Sequence, residues 1–220
     1  MSSKYLGKDP VFVAGGSNGV GLDVIKRLSA LGTPVKVLVR RESAKIELAK
    51  LPGVTVVMGD ALDETAVQNC MNGCIAAITT LGGPPEPGQA VRVDYVGNSN
   101  VIEQAGILGV ERIILVTSIG CGATSSAIPT STYLTLESIL QAKSKAERDL
   151  KMYTNLDWTI LRPGVIHSGR PTGQGILTTD PTANGSIDCA DAAGLIVQVL
   201  GARTGLSTRR ELSLVDPSLS

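Results

Sequence analysis

A chain of 220 residues, 43% hydrophobic and 18% charged, is long enough to bury one large core and has ordinary globular composition. Lysine plus arginine and aspartate plus glutamate each total 20, so no net field draws the chain to nucleic acid or an anionic membrane. No apolar run approaches the roughly 18 residues of a membrane span, which excludes a conventional transmembrane helix.

Met1–Pro10 has no apolar stretch and does not read as a secretory signal. Val11–Ala14 is the first of six short apolar runs predicted as strands. The others are Val35–Val39, Val54–Met58, Ile75–Thr79, Ile113–Thr117 and Trp158–Leu161. Such continuous runs suit strands buried on both faces of a parallel sheet. Helices are predicted between them. In Gly19–Leu31 the residues Val20, Val24, Leu28 and Leu31 form one apolar stripe. Val91–Leu108, Ser138–Met152 and Ala190–Leu200 follow. The alternation predicts one α/β domain over residues 1–220, a doubly wound parallel sheet with helices on both faces. Leu81–Gly88, Ile119–Thr132 and Gly164–Ser186 break the pattern and are predicted as loops. The first two follow strands directly and should border a ligand crevice. The third, spanning about 164–188 in all, is long enough to serve as a substrate or lid loop.

Gly15-Gly-Ser-Asn-Gly-Val-Gly21 stands between a buried strand and an amphipathic helix, the setting a dinucleotide-binding turn requires. Gly15 permits the sharp turn, Gly19 the approach of a pyrophosphate, and Gly21 close helix packing. The helix N-terminus at Val20 offers unpaired amides to phosphates, and Ser17 and Asn18 add side-chain donors. The second strand runs into Arg40 and Arg41, where an NAD site usually carries an acid. Guanidinium forks match a 2′-phosphate, so NADP(H) is the expected cofactor. In Gly59-Asp60-Ala61-Leu62-Asp63, Asp60 could accept from an adenine amino group, but Asp60 or Asp63 could equally cap the next helix.

Taken together, the chain resembles the short-chain dehydrogenase/reductase superfamily, a Rossmann-fold group. The likeness is to its atypical members: NmrA-like proteins, plastid Tic62-like proteins and biliverdin reductase B-like flavin reductases. It rests on Ala14-Gly15-x3-Gly19-Val20-Gly21, Gly59-Asp60-Ala61, Asp94-Tyr-Val-Gly-Asn-Ser-Asn-Val-Ile102, Val116-Thr-Ser-Ile-Gly120, Lys143-Ser-Lys-Ala-Glu147 and Trp158-Thr-Ile-Leu-Arg-Pro-Gly164. The resemblance implies that Thr80, Leu81 and Gly82 line the adenosine and ribose, and that Thr117 and Ser118 face the nicotinamide. It also implies that Lys143 reaches the nicotinamide ribose, and that Pro163, Gly164 and Val165 meet the carboxamide through backbone groups.

One departure stands out. Standard members carry a proton-donating tyrosine four residues before the lysine, and here that position is Ile139, which has no proton to give. Asp94 likewise stands where extended members often carry asparagine. Tyr133 could replace the acid only if the loop before it folds over the site. Ser118 is a candidate relay hydroxyl, and His167, the single histidine, is a candidate acid–base group beside the Arg-Pro-Gly segment. The four cysteines, Cys70, Cys74, Cys121 and Cys189, lack zinc spacing; they read as free thiols of a reducing compartment, the cytoplasm or a plastid stroma, with no metal. The function expected is NADPH-dependent hydride transfer to a small, planar conjugated acceptor (flavin, quinone or tetrapyrrole) by a monomer or weak homo-oligomer. The alternative is an NADP(H)-binding assembly or regulatory protein without turnover. A classical alcohol or sugar-nucleotide dehydrogenase is disfavoured by Ile139.

Overall fold

The computed structural model describes residues 4–83, 91–202 and 208–219. The first five strands are β1 (Val11–Ala14), β2 (Val35–Val39), β3 (Val54–Met58), β4 (Ala76–Thr79) and β5 (Arg112–Val116). They are followed by β6 (Asp157–Pro163), β7 (Val165–His167), β8 (Ile176–Thr178), β9 (Ser186–Asp188) and β10 (Arg210–Val215). The helices are α1 (Gly19–Ala30), α2 (Glu42–Leu48), α3 (Glu64–Met71), α4 (Asn98–Ile107), α5 (Thr130–Met152) and α6 (Cys189–Gly201). The main sheet runs β3-β2-β1-β4-β5-β6-β10-β8, parallel except where β8 pairs antiparallel with β10, and β7 and β9 form a separate parallel pair. This is the expected doubly wound fold. The strand order reverses between β1 and β4, the crevice where such sheets take ligands.

Alternate side chains of each strand feed two cores. Val11, Val13, Val37, Ile78, Ile114 and Leu161 pack under α1 and α6. Phe12, Ala14, Ala77, Leu115 and Ile160 pack under α3, α4 and α5. Two polar networks cross this frame. At the amino ends of β5 and β6, buried Arg112 pairs with Asp157 at 2.7 Å and donates to Thr159, far from the crevice. At the opposite end, Arg162 of β6 donates to both carboxylate oxygens of Glu147 on α5, at 2.9 and 2.6 Å, and also holds Glu211 of β10.

Several elements differ from expectation. The helix predicted over Val91–Leu108 begins as a π-wound segment, Val91–Gly97, before α4. Helix α5 starts at Thr130 rather than at Ser138. Its first two turns are mostly exposed and carry no continuous apolar stripe, and Pro129 precedes them in extended conformation. The loop expected over Ile119–Thr132 therefore shrinks and contains a 3-10 turn, Gly122–Ala127. Helices α2 and α3 span only seven and eight residues, too short to show a period. Asp63, not Asp60, caps α3, accepting from Thr65 N and Ala66 N. Most of the expected loop over Leu81–Gly88 lies outside the described residues. The 164–188 excursion contains β7, β8 and β9 and is pinned by aspartates. Asp188 accepts from Gly169 N at 2.8 Å, Asp191 from Thr172 N at 2.8 Å, and Asp216 from the Thr172 hydroxyl.

The Arg162 network gives a pH dependence. Burial alone would raise the Glu211 carboxyl, but hydrogen bonds and charge from Lys151 and Arg162 outweigh it and hold the group below its ordinary value. A carboxyl depressed in the folded state adds stability above its unfolded pKa and loses it as pH falls through the folded one. Melting temperature should therefore drop as pH falls below the ordinary glutamate value of 4.5. Glu211→Gln should be less stable at neutral pH and show a flatter acid limb; an unchanged limb would exclude Glu211 from the network's stability.

Candidate functional site

The site is built where β1 and β4 end side by side. Thr80 N donates to Ala14 O at 3.0 Å, and the Thr80 hydroxyl lies 3.1 Å from Ala14 O and 3.2 Å from Gly15 O. Gly15 turns there with φ +83°, and a Cβ on it would stand 2.6 Å from the Thr80 hydroxyl. A Cβ on Gly21 would stand 2.4 Å from Gly15 O, so Gly21 packs against the turn's own start. The glycine that seats the helix on the sheet is Gly16, whose Cβ would meet Ile25 at 2.3 Å and Val37 at 2.9 Å. Gly19 differs from all three: φ is +51° and nothing lies within 4 Å of a Cβ there.

The turn opens onto two adjoining clefts. One, about 330 Å³, reaches from Gly15, Ser17 and Asn18 past Arg40, Arg41, Asp60 and Ala61 to Thr80, Leu81 and Gly82. The other, about 310 Å³, shares Gly15, Asn18, Thr80 and Gly82 and continues along Gly19, Val20, Gly21, Thr117, Ser118 and Lys143. Its outer wall is Leu136, Ile139 and Leu140 of α5 with Ile166 of β7, and Cys189 stands at one end. The two clefts meet at Gly15, Asn18, Thr80 and Gly82, and Gly19 lines the second of them. The helix α1 N-terminus has no side-chain cap, so its first amides stay available, and the space at Gly19 is the kind a pyrophosphate fills.

Charge is distributed unevenly. Arg40 pairs with Asp60 at 3.7 Å across the mouth of the first cleft, and both side chains are exposed. Asp60 also accepts from Leu62 N at 3.0 Å. No ion pair holds Arg41 among the described residues, and it lines the same mouth. In the second cleft the polar groups are engaged internally. The Thr117 hydroxyl donates to Glu147 at 2.7 Å, and the Ser118 hydroxyl donates to Ile119 O at 2.9 Å. Lys143 pairs with fully buried Asp94 at 2.8 Å and donates to Leu81 O at 3.0 Å. Cys121 lies under the wall near Leu140 O, and burial pushes its thiol up to about 11, so it packs rather than reacts.

Five expected site residues stand away from the clefts. Tyr133 lies on α5 ten residues before Lys143, about 15 Å along the axis at 1.5 Å per residue. It borders a different groove, with Tyr95, Lys145 and Arg148. His167 is exposed and, one residue from Ile166 in β7, points to the other face of the strand. Pro163, Gly164 and Val165 meet backbone instead of open cleft: Pro163 O accepts from Ile119 N, Gly164 N donates to Leu214 O, and Val165 N donates to Gly185 O. Gly164 is needed because Gly185 passes so close that a Cβ would stand 2.2 Å from its carbonyl. Sequence reasoning missed Leu136, Leu140, Ile166 and Cys189. The three- and four-residue spacing from Leu136 through Ile139, Leu140 and Lys143 was available once the helix start moved upstream.

A family described as NAD(P)H-binding matches residues 15–203. An uncharacterized chloroplastic protein of Arabidopsis thaliana is 30% identical over 86% of this chain and 71% of its own. The chloroplastic protein TIC 62 of Pisum sativum is 26% identical over 74% of this chain, which spans only 33% of TIC 62. Among solved structures, ChuY, an anaerobillin reductase from Escherichia coli O157:H7, superposes with a TM-score of 0.84 at 29% identity, covering 96% of this chain and 98% of ChuY. A short-chain dehydrogenase/reductase from Veillonella parvula, solved with NADP, shares the fold with a TM-score of 0.77 at 16% identity over 96% of each chain. With the glycine turn at the strand-order reversal and the match over most of its length, this chain belongs to the NAD(P)H-binding family and has the Rossmann fold of the atypical short-chain dehydrogenases/reductases.

Proposed function

We propose that the chain is an NADPH-dependent reductase whose acceptor is a planar conjugated molecule, with a tetrapyrrole the first candidate. One observation carries this reading: the open side of the second cleft is an apolar wall of Leu136, Ile139, Leu140 and Ile166, where a proton-donating side chain would otherwise stand. A flat conjugated ring system buries its faces on such a wall. The residues of the two clefts would hold NADPH, which would supply the hydride and so both electrons the acceptor needs. In this reading the balancing proton comes from solvent: Ile139 has none, and the Thr117 and Ser118 hydroxyls donate to Glu147 and to Ile119 O. The likeness to ChuY supports the tetrapyrrole choice.

The chain's own residues have separable duties in this reading. The amides at the start of α1 hold the pyrophosphate. Arg41 meets the 2′-phosphate directly, whereas Arg40 must first leave Asp60. Lys143 is ion-paired with Asp94 and donates to Leu81 O, and its remaining donor capacity would serve the ribose.

Arg41→Ala should weaken NADPH binding about tenfold to a hundredfold, the scale of one charged hydrogen bond. Arg40→Ala should cost less, and neither should move NADH affinity. Equal losses for both cofactors in calorimetric titration would mean that the arginines do not read the 2′-phosphate. Gly19→Ala strains the turn, because φ is +51°, but its Cβ meets no core atom; it should fold with a small loss of stability and bind NADPH at least about a hundredfold more weakly. Normal binding would place the pyrophosphate elsewhere.

The acceptor is tested by NADPH oxidation against a panel of bilins, flavins and quinones. Turnover highest with a bilin, and reduced less than about tenfold by Tyr133→Phe, is the expected result, because removing a true general acid costs about 10²–10⁴. Tight NADPH binding with no turnover on any acceptor would point instead to a cofactor-binding assembly or regulatory protein.

A further inference from the structure

Asp94 is the most deeply placed charge of the site. It sits in the π-wound turn Val91–Gly97, a winding that recurs where a helix is adapted to function, and it has no solvent exposure. One of its carboxylate oxygens pairs with Lys143 Nζ at 2.8 Å, and the other accepts from Gly83 N at 3.3 Å. Lys143 in turn donates to Leu81 O at 3.0 Å. A Cβ on Gly82, between these two anchor points, would stand 3.3 Å from both Asp94 and Lys143. The pair thus grips the Leu81–Gly83 segment from two sides, and Gly82 lines both clefts.

We propose that Asp94 is a positioning residue that holds Lys143 against the Leu81–Gly83 segment and cancels its charge, so that the apolar wall at Ile139 faces no available cation. A buried carboxylate this close to an ammonium binds it far more strongly than an exposed one, because little water competes. Ile139 stands four residues before Lys143, one turn away along α5, and both line the second cleft. A free ammonium at Lys143 would stabilise any anion formed beside Ile139; the same ammonium bonded to Asp94 would not. The cleft is thereby fitted to a neutral, apolar acceptor surface. This deepens the reductase reading, but neither arm of its test requires an acceptor, and the first requires no nucleotide.

The test installs a reporter at the wall. Ile139→Tyr places a phenol beside Lys143 on α5, with Cys189 at the start of α6 and the Thr117 and Ser118 hydroxyls across the cleft. Asp94 acts on it through Lys143, and Glu147 is committed to Arg162 and Thr117. The phenolate absorbance is followed against pH as a difference from the parent protein, whose four tyrosines are common to every variant. With Asp94 present the new tyrosine should titrate at or above the ordinary value of about 10. In Asp94→Asn/Ile139→Tyr it should titrate at least about one unit lower, a tenfold gain in ionisation, because the cation is released. Equal titration in the two backgrounds would overturn the proposal. So would a phenol already depressed by a unit in Ile139→Tyr alone, an arm that keeps Asp94 and stays decisive if the double variant does not fold. NADPH affinity provides the second arm. Asp94→Asn should lower it, Lys143→Met should lower it further because the ribose donor is lost as well, and the double variant should lose no more than Lys143→Met alone. Additive losses would show that the two residues act independently and would overturn the clamp. Failure of every acceptor to turn over would instead bear on the reductase reading alone.

Discussion

The contact between Thr80 and the Ala14–Gly15 backbone is the constraint on which the rest of the site depends. A hydroxyl 3.1 Å and 3.2 Å from two successive carbonyls fixes the end of β4 against the end of β1 at the strand-order reversal. That approach leaves no room for a Cβ on Gly15 or Gly21, so the start of α1 is drawn against the strands and its amides are aimed into the crevice. The same contact makes Thr80 part of both clefts. A single hydroxyl therefore sets where a phosphate would meet the helix and where the two halves of a dinucleotide would divide.

Behind this hinge, the far half of the site is held by charge rather than by apolar packing. Thr117, Glu147, Arg162 and Glu211 join β5, α5, β6 and β10 in one buried network. The two carboxylates share the Arg162 guanidinium, and Glu211 also takes Lys151, an arrangement that keeps a buried charge from being prohibitive. The Thr117 hydroxyl is spent on structure in consequence, which a reading of residue types alone would assign to ligand. The lower polarity of the second cleft follows from such internal pairing as much as from its leucines and isoleucines.

Much of the architecture was legible in the sequence because β1 through β6 are apolar runs between amphipathic segments, and the glycine turn has a single reading between a buried strand and a helix. The arginines after β2 were legible as residue types, but the Asp60 partner that occupies Arg40 was not. Helices α2 and α3 left too few turns for a period, and the three-residue strands β7, β8 and β9 offered no alternation. The first turns of α5 were hidden because they are exposed. With the helix starting upstream, Tyr133 lies on α5 and borders the groove with Tyr95, Lys145 and Arg148, while Leu136, a turn further on, reaches the cleft. Asp94 was visible as an anomaly, yet nothing in the chain's order shows that it meets Lys143, 49 positions later by their numbering. Pairings across a topology become readable only once the topology is built.

The aspartate-pinned excursion between β6 and α6 bears on how binding would proceed. Asp188 ties the excursion to itself through Gly169 N, Asp191 of α6 holds Thr172 N, Asp216 after β10 holds the Thr172 hydroxyl, and Ile166 already stands in the wall of the second cleft. The entropy of ordering that segment is thus lost when the chain folds, not when a ligand arrives. An acceptor would meet a surface already shaped, so its affinity would track how well its outline matches the wall. Selectivity would then resemble that of a mould, in which rigid neighbours of the right size but the wrong contour are refused at the door.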